Sequence, residues 1–295
     1  MTLKEKTANW YNKNYKLLLI IPAILLILAL ANLGYSYYNT GDFIEKDITL
    51  TGGTSITIFS DQEINIDQLS EFLDSKITEF IIRELSDFRS GKQKAVVVET
   101  VLEPKEIRPI LEEFLGHELT SENSSIESTG SSLGQSFYKQ LRLAIIISFI
   151  FMAIIVFFIF RSFVPSIAVV ISAFADIMMT LAFINIIGMK ISAAGITGIL
   201  MLIGYSVDSD IMLTTRLLKR HGDTNQNLKE AFKTGITMTL TSILAITVAL
   251  VIIQSISNVL AQIFTILIIG LSFDLLNTWI TNVSILKWYL EGKGR

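Results

Sequence analysis

Residues 141–213 read LRLAIIISFIFMAIIVFFIFRSFVPSIAVVISAFADIMMTLAFINIIGMKISAAGITGILMLIGYSVDSDIML. About 20 consecutive apolar residues are needed for a helix to cross a bilayer. Three spans fit here, Leu141–Phe160, Ile167–Gly188 and Ile191–Leu213. Only RSFVP and GMK separate them, and connections this short make neighbouring helices antiparallel. Working outward, Leu17–Gly34 is a fourth such run, and Thr234–Ile253 and Leu260–Leu286 complete six. The first run is about 18 residues long and has no small-residue cleavage site after it, so a retained span is expected and not a signal peptide.

Between the first and second spans the character of the chain changes. Only 17% of the 295 residues are charged, against about a quarter in a soluble domain, yet the block Gly34–Gln135 is as polar as an ordinary soluble protein. The pattern is that of a membrane protein carrying an inserted soluble domain. Cysteine is absent, which excludes disulfides and thiol chemistry. Nothing resembles a nucleotide-binding loop, so energy would come from an ion gradient or a partner. No enzyme activity, cofactor, metal site or nucleic-acid partner is expected.

Basic residues set the orientation. Lys4, Lys6, Lys13 and Lys16 precede span one, and Arg161 follows span two. Arg216, Lys219, Arg220 and Lys229 lie between spans four and five, and Lys287, Lys293 and Arg295 close the chain. With six spans all of these fall on one side, which the positive-inside rule makes the cytoplasm, with Lys190 the exception among short loops. The polar block then lies outside the cytoplasm, and its roughly 19 acidic against roughly 8 basic residues agree with that. The expected organisation is a cytoplasmic segment 1–16, span one at 17–34, an extracytoplasmic domain at 35–137, spans two to six within 138–290, and a cytoplasmic end at 291–295. The location is the cell membrane, with lipid around the spans.

The outer block has its own order. DITLTGGTSITIFS is strand-like, with β-branched residues and a glycine pair inside it. NIDQLSEFLDSKI spaces Leu69, Phe72, Leu73 and Ile77 as a helix does. EFIIREL and AVVVETVL predict two strands joined through DFRSGKQ. EPKEIRPILEEFLG predicts a second helix ending at Gly116, and SSIESTG a last strand. The order β-α-β-β-α-β is that of a ferredoxin-like domain.

Ionisable residues inside spans cost free energy, roughly 3 kcal/mol at the bilayer centre, so each is a functional candidate. Asp176, Asp208, Asp210 and Asp274 stand out. Residues two apart on a helix point about 200° apart, so Asp208 and Asp210 cannot share one face. Asp208 shares a face with Gly204, where a second helix could come close. One reading is a proton or cation relay, with Lys233 at the start of span five as a partner. The other places Asp208 and Asp210 near the cytoplasmic end, where water reaches them. Asp274 shares its span with Asn277, Trp279 and Asn282, a candidate hydrogen-bonded set. Gly195, Gly198 and Gly204 permit close helix packing. Less weight falls on the TGGT run, which is more often a kink, on the isolated His117 and His221, and on the glycosylation-type triplet Asn123-Ser124-Ser125.

Four stretches together carry a family resemblance. DITLTGGT is similar to a D-F-x-G-G-x stretch following span one, which places Gly52 and Gly53. STGSSLGQSFYKQLRLA resembles a G-x-x-x-G lead into span two, placing Gly130 and Gly134. IGYSVDSDIMLTTR matches a span four with Gly204, Tyr205 and Ser206, and KTGITMTLTS the threonine-rich start of span five. The chain resembles the SecF family, the smaller membrane subunits of the SecD–SecF protein-export complex, over nearly its whole length and most closely the archaeal branch. The resemblance implies a six-helix bundle like half of an RND transporter and a SecD-like partner supplying the other half. It also implies contact with the Sec translocon channel and with the exported polypeptide, driven by a proton or sodium gradient. Bacterial members read N-D-T in span four, which puts their carboxylate at Ser209 here, whereas this chain reads Asp208-Ser209-Asp210. Asp208 lines up with the aspartate of the SecD span, which makes it the first choice for the ion-linked residue, with Asp210 and Lys233 next. Lys233 stands where bacterial members have arginine and lacks its planar fork. Three rivals remain: half of an RND-type exporter of small molecules or lipids, an intramembrane aspartyl protease lacking the G-x-G-D signature, and a translocon scaffold that uses no ions.

Overall fold

The computed structural model describes residues 14–60, 63–78, 80–86, 92–219, 224–254 and 257–292. Lys4, Lys6, Lys13, Arg220, His221, Lys293, Arg295 and most of the DFRSGKQ connection lie outside the described residues.

Among the described residues six helices are long and apolar enough to cross a membrane. The first, α1 (Ile20–Thr40), ends at Gly41, whose left-handed φ of 76° lets its N–H return to the Tyr37 carbonyl at 2.9 Å. It packs through Ala29 and Leu33. The strand-like reading of DITLTGGTSITIFS holds only for its second half. Ile48–Thr51 form one helical turn, α2, because the Leu50 and Thr51 N–H groups bond back to the Asp47 carbonyl. The strand β1 (Gly53–Phe59) opens on the pair Gly52-Gly53, at φ 90° and 137°, backbone that a side chain would strain.

The outer domain follows as α3 (Ile66–Asp74), β2 (Phe80–Ser86), β3 (Gln93–Thr100), α4 (Pro104–Leu115) and β4 (Ser124–Thr129). The strands form one antiparallel sheet in the order β2-β3-β1-β4. Its core is aliphatic: Ile56, Ile58, Val96 and Val98 of the sheet meet Leu69, Leu73, Ile107 and Leu111 of the two helices, all fully buried. Local signals start and stop the helices. Asn65 caps α3 by accepting from the Gln68 N–H, and Glu103 and Glu106 form a capping box at α4. Gly116 ends α4 at φ 72°.

Among the described residues five further helices follow: α5 (Ser131–Phe160), α6 (Phe163–Ile186), α7 (Ala193–Lys219), α8 (Thr224–Ile253) and α9 (Asn258–Leu276). The last continues through a π-helical turn, Asn277–Asn282, into α10 (Val283–Gly292). Helices α6 and α7 are the centre of the bundle, and α5 and α8 expose most of their apolar side chains. Gly195 and Gly198 face α9 of this same chain, where an added Cβ would meet Gln262, Ile263 and Ile266. Gly204 faces open space.

The outer domain is tied to the bundle where the chain passes between them. The Asp47 N–H donates to the Ile191 carbonyl (3.0 Å), and the Ile191 N–H to the Glu45 carbonyl (2.8 Å). Thr49 Oγ1 accepts from the Ala193 N–H at 3.1 Å. Gly134 lies so close to Gly52 and Leu50 that a Cβ there would stand 2.8 Å from the Gly52 nitrogen.

Candidate functional site: a polar core inside the bundle

Three aspartates meet within the apolar bundle. Asp176 of α6 and Asp210 of α7 are fully buried, and Asp274 of α9 is 1% exposed. Asp176 accepts from Ser206 Oγ at 2.5 Å and from Asn277 Nδ2 at 2.7 Å, one bond to each carboxylate oxygen. Asp274 accepts from Ser209 Oγ through both oxygens, at 2.9 and 3.1 Å. Thr278 Oγ1 bridges two of the acids, 2.9 Å from Asp210 Oδ1 and 3.0 Å from Asp274 Oδ1. Asn282 Nδ2 donates to the same Asp210 oxygen at 2.7 Å.

The donors come largely from one irregular stretch. The π-helical turn, a form that recurs at functional sites, buries Asn277, Thr278 and Asn282. Ser206 and Ser209, three residues apart on α7, supply the donors from the facing helix.

A count of hydrogens says what this arrangement can do. Thr278 has one hydroxyl hydrogen and can donate it to only one of Asp210 and Asp274. Its second contact becomes a hydrogen bond only when that carboxyl itself carries a proton. Ser209 has one hydrogen as well, shared among Asp274 and the Ser206 carbonyl at 2.9 Å. A proton on one of these carboxyls would supply the missing hydrogen and lower the cost of burying them side by side. No group of three His, Cys, Asp or Glu side chains close enough to share a metal ion occurs among the described residues.

The structure sorts the candidates named from the sequence. It brings Asp176, Asp210 and Asp274 together. Asp208 is exposed on the opposite side of α7, as the two-residue spacing requires, next to Gly204 and to Tyr205, which is 44% exposed. Lys233 is exposed on α8. Ser206, read only as a motif residue, is buried and holds Asp176. Gly52, Gly53 and Gly134 belong to the joint below the outer domain, and Gly130 is the N-cap of α5. The side chains of Asn277 and Asn282 bond across helices, to Asp176 on α6 and Asp210 on α7, as the expected interhelical set requires, and the Asn277 N–H bonds to the Asp274 carbonyl. Trp279 turns toward α8, against Phe232 and Gly235. Sequence reading missed Thr278. A signal was available in the spacing of Asp274, Asn277, Thr278, Thr281 and Asn282, which recur every three or four residues along one helix face.

Comparison with known proteins sets this core in context. The family described as protein export membrane protein SecD/SecF, C-terminal, matches residues 111–292. A SecF from Methanocaldococcus jannaschii is 39% identical over 94% of this chain and 96% of its own. The chain belongs to the SecF family of protein-export membrane proteins. A SecF from Pyrococcus furiosus is 36% identical over 99% of this chain and 97% of its own. Among solved structures, SecDF from Thermus, a translocon-associated membrane protein, superposes with a TM-score of 0.74 at 19% identity. That match covers 96% of this chain and 38% of the SecDF chain, a likeness of fold.

Proposed function

We propose that the chain is the smaller membrane subunit of a SecD–SecF export complex, assisting secretory polypeptides across the cytoplasmic membrane with energy from an ion gradient. The observation that carries this reading is the near full-length relationship to SecF proteins. A SecD-like subunit would lie against the exposed side of the bundle. Asp208 supports that placement, because a carboxylate facing lipid in mid-helix is costly and a partner helix would relieve it. Gly204 on the same face, with nothing within 4 Å, leaves room for close approach. The bundle would then be one half of an RND-like pair. The outer domain, read as ferredoxin-like from its element order and antiparallel sheet, lies outside the cytoplasm, where it meets the translocon channel and the emerging chain. The buried carboxylates carry the ion-linked step, and motion passes to the outer domain through the joint at Gly52 and Gly134.

Depletion of the protein, followed by pulse-chase of a signal-bearing precursor, tests the reading. Slower maturation of the precursor is expected. Unchanged export after complete depletion would overturn it.

A further inference from the structure

Side chains alternate along a strand, so half of each strand in the outer domain turns away from its core. Ile56, Ile58, Val96 and Val98 face α3 and α4, and Ser55, Thr57, Phe59, Val97 and Glu99 therefore face the bundle. Between that face and the outer ends of α7 and α9 lies a cavity of about 1080 Å³, floored by Met189, Ala193, Val259 and Ala261. It is large enough for a small-molecule site. Two carboxylates reach into it with an oxygen unused. Glu99 is 7% exposed and accepts from Arg83 Nη2 at 2.6 Å through Oε1, while its Oε2 is buried with no partner among the described residues. Asp47, close enough for its charge to act on Glu99, has a buried Oδ1 in the same condition. Buried polar atoms are nearly always satisfied, so two orphan acceptors at one cavity point to a ligand that donates.

The surroundings select its chemistry. An anion is disfavoured, because both free atoms belong to carboxylates. A cation meets Arg83 and Lys190, whose positive charges already act on Glu99. Neutral hydroxyl groups fit: they donate without adding charge, and an O–H bond to a carboxylate is a strong one. Ser55 and Thr57 on the cavity wall can donate and accept, which suits further hydroxyls. Phe59, 49% exposed, lines the same cavity and offers a ring face for the C–H side of a sugar. Position selects the source. Gln254 and Ser257, also on the wall, lie between α8 and α9, where two spans meet the bilayer surface. Beside them Val251, Ile252 and Val259 are exposed apolar side chains, a path for a lipid tail. We propose that the cavity between the sheet and the bundle holds the hydroxylated headgroup of a neutral glycolipid, with its tails against α8 and α9. Bound there, the headgroup bridges the two regions and holds the outer domain at the bilayer surface. The site needs the six spans but not the export role.

The test uses the full chain, purified with its SecD-like partner in a detergent that carries no sugar, tetraethylene glycol monooctyl ether. The complex is offered an equimolar mixture of digalactosyldiacylglycerol, phosphatidylglycerol and phosphatidylcholine, and native mass spectrometry reads which lipid is retained. Retention of the galactolipid about tenfold above either phospholipid is expected, the effect of one charge-assisted bond. Glu99→Gln, which keeps the shape and removes the charge, lowers that retention about tenfold and erases the preference. Phe59→Ala lowers it about fivefold. Ile24→Ala, exposed on α1, leaves it unchanged. Melting curves confirm that each variant is folded, and Phe59→Ala, which trims an exposed side chain, decides the matter if Glu99→Gln is not. The proposal is overturned if no lipid is preferred, as for a cavity holding only water, or if Glu99→Gln and Phe59→Ala retain the galactolipid as the unaltered chain does. Retention of a neutral ten-residue peptide in place of the galactolipid also overturns it, and makes the cavity a cleft for an extended chain.

Discussion

The outer domain hides mostly apolar side chains, whereas the membrane bundle encloses a cluster of carboxylates and amides among its apolar ones. Beneath the sheet the core is aliphatic from Ile56 to Leu111, the buried Thr54 gives its hydroxyl to the Leu102 carbonyl, and Arg83 pairs with Glu99 at 2.6 Å. In the bundle, Phe158 is 71% and Leu244 66% exposed, while Asp176, Asp210, Asn277 and Thr278 are fully enclosed. One rule accounts for both. Apolar surface avoids water, but lipid is as apolar as leucine and exerts no comparable drive. Small residues and hydrogen bonds therefore work beside apolar contacts in holding the bundle, and polar groups that would be a liability in the outer core become adhesive in the inner one.

Substitutions can break the contrast from either side, beginning with the largest expected effect. Leu111→Ala leaves a cavity in the outer core and costs about 3 kcal/mol. Hydrogen exchange on the whole protein should show protection lost across β1, β3 and α4 while α6 and α7 keep theirs. In the bundle the corresponding injury is overpacking. Gly235→Val places a Cβ 2.3 Å from the Trp279 ring and costs about 2 kcal/mol, read as a lower melting temperature. Gly204→Val, with nothing to meet, leaves the melting of the isolated chain unchanged and reduces recovery of the SecD-like partner. Asn277→Ala removes the donor to Asp176 and an acceptor for Thr281, a loss of about 1–2 kcal/mol.

The smallest effect is a pH dependence confined to the outer domain. Burial pushes the Glu99 carboxyl above its ordinary range, Asp47 adds to the rise, and Arg83 and Lys190 oppose it. The folded domain therefore holds its proton to higher pH than the unfolded chain does. Its stability is greatest below the ordinary glutamate range and declines as pH rises through the raised value. Glu99→Gln should flatten that decline in melting curves taken from about pH 4 to about pH 7.

How much of this was legible in the sequence differs between the two regions for the same reason. In the outer domain water imposes a pattern, so the spacing of Leu69 and Leu73 marked α3, and Gly116 marked the end of α4. The error there was local: the β-branched residues of Ile48–Thr51 read as strand, but hydrogen bonds back to Asp47 and packing on α5 close them into a turn. In the bundle the spans were legible by length, but lipid leaves no amphipathic trace to tell which face is inward. The two-residue spacing required Asp208 and Asp210 to diverge. Which of them turns inward depends on α6, earlier in the chain, and on the π-helical turn, more than 60 positions later in sequence. Ser206 and Thr278 look like ordinary span residues until packing brings them to Asp176 and Asp210.

The central claim is that the enclosed carboxylates, and not merely the presence of the chain, drive export. The most direct measurement is pulse-chase secretion in cells whose only copy carries Asp210→Asn, with abundance and recovery of the SecD-like partner checked. The account predicts slowed maturation of the precursor with the complex intact, since the amide keeps the size of the side chain and removes its charge. Normal export from an intact Asp210→Asn complex would contradict it and leave the polar core a structural adhesive.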